Sequence, residues 1–456
     1  MNDGGGFSAY RLSQVLHSEF NLVEGDEIFV GFSGGLDSSV LLHALVHIEH
    51  INCERVTALH ANHGLHKAAD AWEQHCRDLC RSWGIQFFST HLDFDNVAGQ
   101  GTEASARKAR YCWFQGQMND GAVLMTAHHF DDQVETILAN LFRGSGAHGI
   151  AGIKKSRPFG PGRLWRPLLD VDRGSITQYA GAQGLSWIED PMNTDLSYTR
   201  NYLRHQILPL VENKWPGVAR TIARAATNWR DTAELLDDVA RSDLRGIPHR
   251  QEGLFHLLRA PELTSLSSPR SANVLRSWFV RCGFKPPPRD HLQYVLKALV
   301  NTVPKATSVR ALPGAEVRRY RDWLYLSKPL RRQTVPSMVW DRNTTGTLLA
   351  DNRLLVARPA VGEGIRKSVY DSESILVRPR YGGERCRLPG CPNHRKLKKL
   401  FQERGIPPWQ RERIPLLYIG DSLAGVAGLW YCQPFAAEEG EPGMAFELVD
   451  SFEAGN

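Results

Sequence analysis

Glu27-Ile-Phe-Val-Gly-Phe-Ser-Gly-Gly-Leu-Asp-Ser-Ser39, running straight into Val40-Leu-Leu-His-Ala-Leu-Val46, is the stretch that decides the fold. The apolar run over 27–32 reads as a buried strand, and the apolar pattern over 38–47 reads as the helix behind it. A strand, a two-glycine turn and a helix make one unit of a parallel sheet. The unit recurs outward: strand 55–61 with helix 67–83, strand 85–91 with helix 102–118, and strand 122–127 with helix 131–142. Strands alternating with helices predict an α/β fold, a doubly wound parallel sheet filling the first ~215 residues.

The loop Ser33-Gly34-Gly35-Leu36-Asp37-Ser38 lies between the strand and the helix, where two glycines permit a tight turn. Backbone N–H groups there converge with the helix N-terminus into a site for phosphate oxygens, and Ser33, Ser38 and Ser39 add hydroxyls. No Gly-Lys-Ser/Thr ending follows, so a lysine does not grip a γ-phosphate here. Asp37, at the helix start, can cap the helix or hold Mg²⁺ near phosphates.

Further segments carry polar chemistry. Asn62-His63-Gly64-Leu65 closes the second strand, and 103–110 reads Glu-Ala-Ser-Ala-Arg-Lys-Ala-Arg. Thr-Ala-His-His-Phe-Asp-Asp-Gln-Val-Glu-Thr occupies 126–136, followed by Arg143-Gly144-Ser145-Gly146, Arg166-Pro167-Leu168-Leu169, Glu189-Asp190-Pro191 and Arg200-Asn201-Tyr202-Leu203-Arg204. Asp132 and Glu135 are three apart in a first helical turn and share one face, as do Arg107 and Arg110. The carboxylates suit Mg²⁺ binding or proton acceptance, and they also suit first-turn charge opposing the macrodipole. The arginines suit phosphate, and equally surface ion pairs.

At 456 residues the chain calls for two or three domains, with 42% apolar and 23% charged residues typical of soluble proteins. No apolar run approaches the ~18 residues that cross a bilayer, and no targeting pattern opens the chain, so the cytoplasm is expected. Eight cysteines are too few for a disulfide scaffold and read as thiols. His60, His63 and His66 straddle a strand end, and Cys386, Cys391 and His394 fit no common zinc module. Residues 377–413 hold eleven Lys/Arg against three Glu, a net of +8 in a chain of +6. So localised a field suits a polyanion, or a solvated basic face.

The loop at 33–38 resembles the pyrophosphatase loop of the ATP pyrophosphatase (PP-loop) family. Taken in order, the N-terminal segments look like the catalytic domain of the tRNA(Ile)-lysidine synthetases. The C-terminal Arg-Lys-Leu-Lys-Lys-Leu-Phe-Gln-Glu of 395–403 and Gly-Ile-Pro-Pro-Trp-Gln-Arg-Glu-Arg-Ile-Pro of 405–415 are similar to that family's last domain. Within the former, Leu397, Leu400 and Phe401 recur at helical spacing for a core, with Lys398 and Lys399 opposite; Gly405 and Pro407 then end the helix.

The resemblance implies an adenine nucleotide alpha hydrolase-like catalytic domain over 1–215 and a mostly helical, tRNA-contacting middle domain over 216–330. A connecting region over 331–371 and a small, basic α/β tRNA-binding domain over 372–448 complete it. It implies ATP and Mg²⁺ as cofactors, and tRNA(Ile) with a CAU anticodon and L-lysine as partners, with no membrane role. Asp37, His129, Asp132 and Glu135 become catalytic, with Asp37 and Asp132 as Mg²⁺ ligands. ATP falls to Ser33, Gly34, Gly35, Leu36, Asp37, Ser38, His63, Arg107, Arg110, Arg143 and Gly144. Substrate and tRNA fall to Arg200, Arg204, Arg395, Lys396, Lys398, Lys399, Arg411 and Arg413. The implied reaction adenylates the wobble cytidine and then replaces AMP with lysine. A tRNA thiolase on the same loop is the enzymatic rival, though no Cys-x-x-Cys occurs; a non-catalytic tRNA-binding protein is the other.

Overall fold

The computed structural model describes residues 6–23, 25–64, 66–92, 102–300, 309–330, 335, 337–344, 346–349 and 353–450. The chain forms two compact units, Met1–Leu235 and Leu236–Asn456. In the first, β1 (Ile28–Gly31), β2 (Val56–Asn62), β3 (Gln86–His91), β4 (Val123–Met125), β5 (Ser156–Phe159) and β6 (Gly162–Trp165) form one sheet in the order β3-β2-β1-β4-β6-β5. All neighbours pair in parallel except the β5–β6 hairpin. Each strand of the first four lies within a residue or two of its expected place. The hairpin and the helix Arg173–Ala182 carry no periodicity that marks them in the sequence.

The helices are α1 (Ala9–Ser18), α2 (Leu36–Val46), α3 (Ala69–Ser82), α4 (Thr102–Gln117) and α5 (Phe130–Phe142). α2 is buried nearly all round, from Val40 through Leu45, which is why its sequence lacks an amphipathic stripe. Val30, Val40, Leu41, Leu42, Val56 and Ala58 make the centre of the core. Chain order reverses beside β1, whose neighbours are β2 on one side and β4 on the other. In such sheets the crevice at the carboxyl ends, at this switch point, receives ligands.

In the second unit, residues 236–330 combine helices with a five-stranded antiparallel sheet. The strands run in the order His249–Glu252, Phe255–Arg259, Trp323–Ser327, Ala315–Tyr320 and Val309–Leu312. The helices Ser268–Arg281 and Arg289–Val295 cover it through Val274, Leu275, Phe279 and Val295. The expected connecting region over 331–371 is a correction: Met338–Val339 pairs with Ile375–Arg378, and Arg353–Val361 pairs along its whole length with Pro442–Asp450. These strands pair into the sheets of the last domain, and the partner of a strand so far along the chain is not written in the strand's own residues.

Leu397, Leu400 and Phe401 are buried as the spacing predicts, on the helix Leu397–Glu403. It ends in a Schellman turn: Gly405 has φ +77°, its N–H donates to Gln402 O, and Ile406 N–H donates to Phe401 O. One thiol expectation fails nearby. Cys386 and Cys432 form a disulfide, Cα–Cα 5.5 Å, inside the core that Leu397, Leu400 and Phe401 build. A separation of 46 residues hides the pairing in the sequence, and it takes Cys386 out of any zinc set with Cys391 and His394. The other six cysteines are free.

Candidate active site

A cleft of about 780 Å³ opens at the carboxyl ends of β1, β2 and β4. Its floor is the 33–38 loop. Gly34 has φ +78°, and a Cβ there would come within 2.5 Å of Ile188 Cδ1 and 2.6 Å of Cys76 Sγ, so only glycine fits. The Gly34 carbonyl accepts Ile188 N–H at 2.8 Å, which fastens the loop to the segment that forms the cleft's other wall. The Ser38 hydroxyl receives Ser33 N–H at 3.2 Å and donates to Gly35 O at 3.0 Å, closing the turn internally. Gly35 is the N-cap of α2 and offers no side-chain cap; its own N–H donates to Ser33 Oγ at 3.4 Å, and the first-turn residues Leu36 and Asp37 line the cleft without a capping side chain.

His129 is 1% exposed and caps α5, with its Nδ1 accepting Asp131 N–H at 3.2 Å. Its Nε2 lies 3.6 Å from Asp37 Oδ2 and 3.6 Å from Asp132 Oδ2. Burial works against the imidazolium, but Asp131, Asp37 and Asp132 outweigh it and raise the pKa to about 10. In that charged form Nδ1 turns from cap acceptor to donor toward Asp131 Oδ2, 3.4 Å away. His129 thus ties the loop to α5 from beneath; it is not among the residues that line the cleft.

Asp37 and Asp132 do line it. Asp37 Oδ1 is buried with no hydrogen-bond partner, a bare acceptor of the kind that a divalent cation satisfies. Mg²⁺ takes one or two carboxylates and completes its shell with water and phosphate oxygens, so this donor set fits it.

Glu135 is fully buried and off the cleft wall; its Oε1 accepts Arg204 Nε at 2.6 Å. Burial pushes its carboxyl above the ordinary value against the pull of Arg204. Arg204 also reaches Asp132 Oδ1 at 3.4 Å, and Arg200 Nη2 donates to Thr136 Oγ1 at 3.1 Å. The shared face of Asp132 and Glu135 is therefore real, but only Asp132 meets the cleft. Both arginines line it too, with Arg204 bound to this carboxylate pair.

His63, Arg107 and Arg110 line the same cleft, the two arginines beside the Tyr111 ring at 5.0 and 5.8 Å. Burial and Arg110 lower the His63 pKa to about 4, so it stays neutral. Leu65 lies outside the described residues. His60 is committed to Phe32 O and His66 to Ala68 N–H and the Trp72 ring, and both line the cleft with His63. Arg143 and Gly144 are corrections: they follow the C-terminal end of α5, roughly 16 Å along the helix from Asp132, and stay out of the cleft.

His128, absent from the residues expected at the site, lines the cleft, bonds Thr126 Oγ1 and is held neutral by burial, its pKa lowered to about 3. Its place next to His129 at a strand end is the signal that marks it. The wall Trp187-Ile188-Glu189-Asp190-Pro191 contains a stretch that the sequence shows only as a motif; Asn201 Nδ2 anchors the chain just beyond it through Met192 O at 2.8 Å and Asp195 O at 2.9 Å.

In the second unit, Lys396, Lys398 and Lys399 are exposed, and Arg395 pairs with Glu403. Arg411 is a correction: it is 5% exposed, donating to Ile406 O and Tyr320 OH, so it braces the core and cannot meet a polyanion. Arg413 is half-buried, and its carbonyl accepts Arg353 Nη2.

Comparisons with known proteins cover the chain in three blocks. The family model for the PP-loop domain matches residues 8–211, that for the TilS substrate binding domain matches 258–325, and that for the TilS substrate C-terminal domain matches 375–448. The tRNA(Ile)-lysidine synthase of Coxiella burnetii is 38% identical over 428 residues, covering 94% of each chain. That of Alkalilimnicola ehrlichii is 37% identical over 414 residues, covering 90% of this chain and 91% of its own. Among solved structures, a U34-tRNA thiolase from Methanococcus maripaludis matches at 17% identity and a TM-score of 0.40, covering 48% of this chain and 76% of that one.

Proposed function

The chain belongs to the tRNA(Ile)-lysidine synthase family of PP-loop ATP-dependent ligases, and from that membership and the cleft together we propose that it joins L-lysine to C2 of the wobble cytidine in the CAU anticodon of tRNA(Ile), forming lysidine. The observation that carries this reading is the meeting of Asp37 and Asp132 about His129, beside a two-glycine loop whose helix N-terminus has no side-chain cap. Family relatives covering 90–94% of this chain support it.

The cytidine C2 oxygen attacks the α-phosphate of ATP and pyrophosphate leaves; the lysine ε-amine then attacks C2, and AMP departs with the oxygen. A base carbonyl oxygen is a poor leaving group, which is what adenylation changes. Negative charge grows on the departing pyrophosphate, and the first-turn amides of α2, the Ser33 hydroxyl, Arg107 and Arg110 stabilise it. Asp37 and Asp132 would hold Mg²⁺, which neutralises phosphate charge when bound. The amine must shed a proton, and Asp132 is the one of the two candidate carboxylates that lines the cleft. Glu135 acts through Arg204, keeping that guanidinium and Asp132 in place.

In this reading 1–215 is catalytic, 216–330 contacts tRNA, and the basic 372–448 binds the tRNA backbone. No helix among the described residues is long and apolar enough to cross a membrane, and the enzyme works in the cytoplasm, where its tRNA is. Nucleoside analysis of an isoleucine tRNA with a CAU anticodon, after incubation with ATP and lysine, tests the reading: lysidine is expected, and its absence from active preparations overturns it. Pyrophosphate release on adding tRNA without lysine separates adenylation from ligation.

A further inference from the structure

Tyr381 is 77% exposed, the highest value among the exposed large hydrophobic side chains of the described residues, at the tip of a turn inside the basic window 377–413. The turn is fixed. Glu384 Oε1 accepts both Tyr381 N–H at 2.7 Å and Gly382 N–H at 2.6 Å, and Gly382 and Gly383 follow at φ +100° and +87°. The Glu384 side chain is only 6% exposed and lies 3.3 Å from Arg380 Nε, while the Arg380 guanidinium sits over the Phe401 ring of the lysine-bearing helix. One strand beyond the turn, Arg385 is the cross-strand neighbour of Lys396. The backbone that carries Tyr381 is therefore held by a nearly buried carboxylate, and Arg380 is committed to that same anchor.

An aromatic ring held out in water, as Tyr381 is, gains nothing for the fold. An exposed aromatic ring carried on a fixed turn within a basic segment is what proteins use to stack unpaired bases. Backbone charge is met by the surrounding Lys and Arg, and the ring takes one base face without regard to sequence. We propose that Tyr381 stacks on an unpaired nucleotide of the bound RNA, making this turn a base-stacking site within the lysine-rich surface. The inference rests on the reading above that this domain binds tRNA.

The test compares full-length chains: wild type, Tyr381→Ala, Tyr381→Phe and the triple Lys396→Glu, Lys398→Glu, Lys399→Glu. Affinity is measured across a salt series for isoleucine tRNA and for a blunt-ended RNA duplex. Stacking predicts that Tyr381→Ala weakens tRNA binding roughly tenfold with the salt slope unchanged, that Tyr381→Phe restores it, and that the duplex is indifferent to both. Equal tRNA affinity in wild type and Tyr381→Ala, with the triple variant impaired, overturns the stacking site and leaves the domain reading intact. A triple variant that binds like wild type removes the domain reading and the stacking site with it.

Discussion

The cleft of the first unit and the basic surface of the second use the same kinds of side chain in opposite ways. In and behind the cleft, polar groups are mutually committed: His129, itself buried, among three aspartates, buried Glu135 against Arg204, and Ser33 against Ser38. On the surface, Lys396, Lys398 and Lys399 stand in water beside and along a helix whose other face is packed. Buried, preorganised dipoles act on a transition state and are little screened by salt, whereas exposed cations act on a polyanion through counterion release. The two regions should therefore fail differently, in rate for one and in salt-dependent affinity for the other.

The largest effect is expected from Asp37→Ala, which strips a carboxylate from the phosphate site: pyrophosphate release should fall by about 10³-fold with ATP still bound and the fold retained. Ser33→Ala should fall less, since the Ser38 hydroxyl still holds the Ser33 amide. Near-normal turnover in both variants breaks the assignment of the loop.

A sharper test lies between two carboxylates on one helix face. Asp132→Asn should cut the single-turnover rate by about 10²-fold with tRNA affinity preserved. Glu135→Gln should show mainly as lost stability, about 3 kcal/mol in urea unfolding, because it leaves the Arg204 charge without its closest partner. If Glu135→Gln unfolds like wild type yet is as slow as Asp132→Asn, the buried glutamate takes part in the chemistry and the division between the two carboxylates fails.

On the surface, Lys396→Glu, Lys398→Glu and Lys399→Glu together should weaken tRNA binding similarly across tRNA sequences. The slope of log K against log salt should flatten by roughly 0.7–0.9 for each phosphate no longer neutralised. Nucleotide binding at the cleft should not change. Unaltered tRNA affinity at ~150 mM salt, where the Debye length is about 8 Å, makes these lysines a solvated face and erases the contrast.

The smallest expected effect is at Asn201, which touches no candidate substrate site but ties down the 187–195 wall through two carbonyls. Asn201→Ala should cost about 1 kcal/mol for each of these hydrogen bonds, read as a modest fall in melting temperature and a raised KM for tRNA at similar kcat. A fall in kcat alone would place Asn201 nearer the chemistry than the geometry allows.

The sequence by itself determined the βα order, the phosphate loop and the buried stripe of Leu397, Leu400 and Phe401, because each is written locally, in strand period, turn glycines and helical spacing. It also gathered His63, Arg107, Arg110, Asp132, Arg200 and Arg204, which do share one cleft, since the carboxyl ends of neighbouring parallel strands must converge. Only tertiary structure decided where each group sits and what it touches. Spacing puts Asp132 and Glu135 on one face, but burial alone separates the cleft carboxylate from the one held by Arg204. The same holds for His128 against His129, for Arg411 sunk against Tyr320, and for Arg143 at the wrong end of its helix. The Cys386–Cys432 bridge and the pairing of Arg353–Val361 with Pro442–Asp450 join residues far apart in the chain. The burial of a single charged group and the partner it finds far along the chain are set by contacts between residues distant in sequence, which spacing within one element does not specify.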